Sequence, residues 1–164
     1  MSDFEIDIHV EDLRWTEFVD LLDSLVSRAI RASLAYLNAH ELAHCDFSEV
    51  SLAFVSDDKI QKLNAEYRGK DKPTNVLSFP GTEIDGFKPL LGDIVLAYET
   101  AVAEALDRSI ERDDHIVHLV VHGFLHLMGY DHENNQDADI MESIEIKILE
   151  GLGIASPYDK GELL

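Results

Sequence analysis

The chain has 164 residues, enough for one domain with its own core, and 46% of them are apolar, as in ordinary globular proteins. Its net charge is −20, from 33 acids against 13 bases, which excludes the broad basic face of a general nucleic-acid binder. A lone cysteine, Cys45, excludes an internal disulfide and fits a reducing cytoplasm, and the longest uncharged run, His115 to Tyr130, is too short to span a bilayer.

The start, MSDFEIDIHVED, is acidic and alternating, without the basic and apolar regions of a signal peptide. Phe4, Ile6, Ile8 and Val10 predict a first half-buried strand. Leu21, Leu22, Leu25, Val26, Ala29, Ile30, Leu34 and Leu37 then recur at helical spacing, predicting a long amphipathic helix from Thr16 to Asn38. Val50, Leu52 and Phe54 predict a second strand. Ser56 is a good N-cap, and Asp57 and Asp58 suit the positive end of a helix over 57–66. A loop from Arg68 to Thr74 leads to a short strand, Val76 to Phe79, stopped by Pro80 and Gly81. After a Gly- and Pro-rich connection, Asp93 to Ala97 reads as a fourth strand. Helices follow over 98–108, 113–128 and 136–150, with Gly129 and Gly151 as C-terminal stops. The expected fold class is therefore α/β (α+β), one domain over 1–164. It has a small mixed sheet of about four strands packed with about five helices.

The bases are unevenly spread. Lys59, Lys62, Arg68, Lys70 and Lys72 fall in one short stretch that holds only Glu66 and Asp71 as acids. If a phosphate docks anywhere, it docks there; the competing reading is a solvated loop.

The chemistry lies in His122-Gly-Phe-Leu-His126-Leu-Met-Gly129-Tyr-Asp-His132. Residues four apart on a helix share a face, so His122 and His126 can converge on one ion. Gly129 can take the left-handed conformation that ends the helix, and the chain returns with His132. Three imidazoles leave one position open, as catalytic zinc sites do. Histidines in so apolar a helix each need a polar partner, and one shared metal satisfies all three. The spacing is that of the extended zinc-peptidase motif, H-E-x-x-H-x-x-G-x-x-H, but Gly123 stands where the general-base glutamate belongs. That argues against proteolysis and predicts close approach of a substrate or neighbouring strand at Gly123. His118, one turn earlier, could line the cleft or hydrogen-bond behind the ligands, and Asp131 could orient a ligand histidine and balance the metal's charge. His40-Glu41-Leu42-Ala43-His44 also fits H-E-x-x-H, but it straddles a helix end with no third ligand at suitable spacing. It anchors the alternative reading, a zinc metallopeptidase.

Three motifs in order make the chain resemble the YbeY-type bacterial ribosomal-RNA maturation endoribonucleases. These are Tyr67 to Pro80 (YRGKDKPTNVLSFP), Leu91-Gly92-Asp93-Ile94, and His122 to His132. The resemblance implies a zinc-dependent, single-strand-specific endoribonuclease with one Zn2+ per chain on His122, His126 and His132 and an important arginine at Arg68. Asn75 departs from the family pattern, where aspartate is usual. The implied partners are single-stranded ribosomal RNA and small-subunit ribosomal or assembly proteins, in the cytoplasm and away from membranes. A water activated by the metal, Asp131 or Glu133 could each serve in moving the proton. A second alternative is a non-catalytic, zinc-containing ribosome-assembly factor.

Overall fold

The computed structural model describes residues 3–158, so residues 1, 2 and 159–164 of the expected domain lie outside it. The alternating segments form one sheet from β1 (Glu5–Val10), β2 (Asp46–Val55), β3 (Val76–Pro80) and β4 (Phe87–Ala97), in the spatial order β1-β2-β4-β3. β1 and β4 run parallel to β2, and β3 runs antiparallel to β4. Parallel neighbours need a crossover. Helix α1 (Val19–Ala39) supplies it between β1 and β2, and α2 (Asp57–Arg68) with β3 supplies it between β2 and β4. The expected mixed sheet is what forms.

The period of two sorts the strand residues onto two faces. Val50, Leu52, Phe54, Ile94 and Leu96 join the main core, together with α1, α4 (Arg112–Leu127) and α5 (Asn135–Gly151). Val55, Val95 and Ala97 face the other way, where Ile60 of α2 packs on them. Helix α3 (Tyr98–Asp107) is latched to α2 at its start. The Asp57 carboxylate accepts from Thr100 N and Oγ1, while Glu99 accepts from Asp57 N.

Three local expectations differ from what is found. β4 begins at Phe87, six residues before the expected Asp93. Pro89 is tolerated there because that half of the strand pairs with β2 alone, and β3 joins only from Gly92 onward. The long helix starts at Val19, after a 3₁₀ turn over Leu13–Phe18 that seats buried Trp15 with its indole N–H on Val55 O, 2.9 Å away. At the far end Gly151 lies inside α5, and Gly153, with φ +77°, makes the left-handed turn instead.

Candidate metal centre

Helix α4 is buried along almost its whole length, and this rigid rod carries His122 and His126 to the mouth of a cleft. Their Nε2 atoms lie 3.1 Å apart. Two nitrogens bound at 2.0–2.1 Å to one tetrahedral ion would lie about 3.3 Å apart, so the spacing fits a shared metal. Gly129, at φ +101°, turns the chain out of the helix, and Tyr130 pins that turn by donating its hydroxyl to Leu42 O at 2.8 Å. His132 then returns to face the helix, its ring 5.4 Å from that of His122 and 5.0 Å from that of His126. One donor atom from each of His122, His126 and His132 lies within 4.8 Å of the others. The three histidines singled out by spacing are thus brought together.

Gly123 serves close approach of the sheet. A Cβ there would sit 2.7 Å from Ile94 Cγ2 and 3.2 Å from Ser78 Oγ, and Ser78 Oγ donates to Gly123 O at 3.1 Å.

Behind the histidines lies a group that sequence reasoning missed. Glu145 of α5 is wholly buried. Its carboxylate meets His122 Nδ1, His118 Nε2 at 3.3 Å, and the Tyr158 hydroxyl. The available signal was an acid set in the apolar stripe of Met141, Ile144, Ile148 and Leu149. Burial alone would raise the Glu145 carboxyl, but hydrogen bonds from His118 and His122 outweigh it and hold the group down to about 2. Burial lowers His118. It also lowers His126, which with the neighbouring charges of His122 and His132 is pushed down to about 4, so the ring stays neutral. The Asp131 carboxylate accepts from His132 N at 2.7 Å, within the turn that carries that histidine.

Opposite the histidines the same cleft, about 760 Å³, is lined by Asn64, Arg68, Lys70, Lys72 and Thr74. Arg68 closes α2 rather than opening the loop, because Gly69 makes the left-handed cap that ends the helix. Its Nη2 donates to Ser78 O at 2.5 Å and its guanidinium lies 5.3 Å over the Phe79 ring. Among the described residues no acid pairs with it. The loop after it is tied back to α2, with Asn64 Nδ2 donating to Lys72 O and Gln61 Nε2 to Asp71 Oδ1. Asn75 donates to Glu104 at 3.0 Å, a contact that an aspartate in that place would turn into repulsion. The segment from His40 to His44 forms no such centre. It lies beyond the end of α1, with His40 turned back onto Tyr36 O, and no metal-holding group among the described residues includes it.

The profile of the family described as Endoribonuclease YbeY matches residues 10–153. The Endoribonuclease YbeY of Rhizobium etli is 46% identical, over 99% of this chain and 98% of its own. That of Sinorhizobium fredii is 43% identical, over 96% of this chain and 94% of its own. The solution structure of TM1509 from Thermotoga maritima matches with a TM-score of 0.53 at 24% identity, over 90% of this chain and 91% of its own, a likeness of fold alone.

Proposed function

The chain belongs to the YbeY endoribonuclease family, and from that premise we propose that it cuts single-stranded ribosomal RNA with one zinc ion held by His122, His126 and His132. The observation that carries this reading is a single cleft with convergent imidazoles on one wall and Arg68, Lys70 and Lys72 on the other, in a chain of net charge −20. An RNA backbone is repelled by most of such a surface and attracted to that rim. Zinc bound there supplies a Lewis acid for a phosphoryl oxygen or a water. Arg68 spends one N–H on Ser78 O, and its remaining donors suit the two oxygens of a phosphate. Asp131 and Glu133 line the same cleft, where either can take up or deliver the proton. No helix of the described residues is long and apolar enough to cross a membrane. Membership of this family supports a proposed place of action in the cytoplasm, beside small-subunit ribosomal or assembly proteins.

Metal removal tests the reading. Protein stripped of metal should leave a single-stranded RNA uncut, and one equivalent of zinc should restore cleavage. His122→Ala, His126→Ala and His132→Ala should each hold well below one zinc per chain. Full zinc occupancy in all three variants would end the assignment. Zinc-loaded wild-type protein that binds RNA without cutting it would favour the assembly-factor alternative.

A further inference from the structure

Packing alone asks for leucine or methionine at position 145, since its neighbours on α5 are Met141, Ile144, Ile148 and Leu149. A carboxylate there carries a heavy desolvation cost. It is retained with all its partners on one side of the metal centre: His122, His118 and Tyr158. We propose that Glu145 is the positioning residue of the zinc site and that Tyr158 makes the segment after α5 part of that site. The inference rests on the zinc reading above and adds the question of what holds the first ligand in place.

Hydrogen positions distinguish the roles. An ionised carboxylate only accepts, so each of its three partners must donate. His122 is thereby fixed with its proton on Nδ1, and its lone pair falls on Nε2, the atom that sits 3.1 Å from His126 Nε2. A neutral imidazole without that acceptor would also populate the other tautomer, which puts a proton where the metal should bind. The same hydrogen bond makes Nε2 a stronger donor to zinc. His118 and Tyr158 hold the carboxylate in turn. The Tyr158 ring stands edge-on to that of His118 at 5.8 Å, and the left-handed turn at Gly153 is what brings this segment back against α5. His118 thus acts at one remove, through Glu145.

One donor atom from each of His118, His122 and Glu145 also lies within 4.8 Å of the others, a spacing that could hold an ion of its own. The Tyr158 hydroxyl on the same carboxylate argues instead for a hydrogen-bonded network.

The test uses zinc-loaded protein and the Glu145→Gln and Tyr158→Phe variants. Zinc affinity is read by chelator competition, the His122 tautomer by ring-nitrogen NMR of the same proteins after zinc is removed, and stability by thermal melting. Glu145→Gln should bind zinc about 10- to 100-fold more weakly and show a mixed His122 tautomer. Tyr158→Phe, which keeps the ring, should weaken zinc several-fold and so carries the test if Glu145→Gln does not fold. Unchanged zinc affinity and an unchanged tautomer in folded variants, with only a lower melting temperature, would overturn the proposal. So would two zinc ions per wild-type chain, because Glu145 would then be a ligand. Wild-type protein that binds no zinc would defeat the metal reading itself, a separate outcome.

Discussion

The two walls of the cleft are built on opposite principles. One wall is helix α4 backed by α5, where His122 and His126 stand on a buried helix and His122 leans on a buried carboxylate. The other is the end of α2 and the loop after it, where Arg68 and its lysines are exposed and held by a few hydrogen bonds. The contrast shows where precision is needed. A metal tolerates little error in ligand placement, whereas a polyanion is gathered by charge and can be met by side chains that adjust.

At the exposed wall, Arg68→Ala should keep the fold and the zinc while losing about 100-fold in RNA cleavage, the scale of one lost transition-state donor. Arg68→Lys should recover only part, because an ammonium cannot fork onto two oxygens. A lower melting temperature with near-normal activity would show instead that Arg68 serves to hold Ser78 and Phe79. On the buried wall, Gly123→Ala should cost stability rather than affinity for RNA. The added methyl meets Ile94 Cγ2 at 2.7 Å, on a β-branched side chain with little freedom to move. Overpacking costs about 1–3 kcal/mol, and the gain of about 1 kcal/mol from removing a mid-helix glycine offsets only part. Urea unfolding of the metal-free protein measures the balance, and a stabilised variant would contradict the tight contact.

The smallest effect sharpens the contrast by pH. His126 is pushed down to about 4 by burial and its neighbours, from an ordinary value of 6.5. A group lowered in the folded state favours its neutral form there. Its contribution to stability is complete above 6.5 and is lost as pH falls toward 4. Melting temperatures of metal-free protein should therefore drop between pH 7 and pH 5, and His126→Gln should flatten that dependence.

What could be read from the chain follows from how local each signal is. His122, His126 and His132 fall within one helix and one turn, so spacing alone places them. The strand faces follow from alternation, and Gly129 announces its turn. Glu145 escaped because its partner His122 lies 23 residues away, and the nearer Asp131 drew the role of orienting a ligand. The stripe of α5 carried the clue, an acid set among the buried Met141, Ile144, Ile148 and Leu149. The first half of β4 escaped for a different reason: Pro89 argues against a strand until pairing on one side only is known. Gly151 and Gly153 are two residues apart, and only the packing of α5 decides which one turns.

The hydrogen bond from Arg68 to Ser78 O has a consequence for what the cleft admits. β3 is an outer strand of the sheet and borders the metal centre. A strand in that position, left bare, offers its backbone to any extended polypeptide that can lie alongside it. Here the guanidinium occupies one of the backbone acceptors and its plane covers the next side chain, Phe79. Arg68, proposed above to meet phosphate, thus also takes up a backbone acceptor that an extended peptide beside β3 would need.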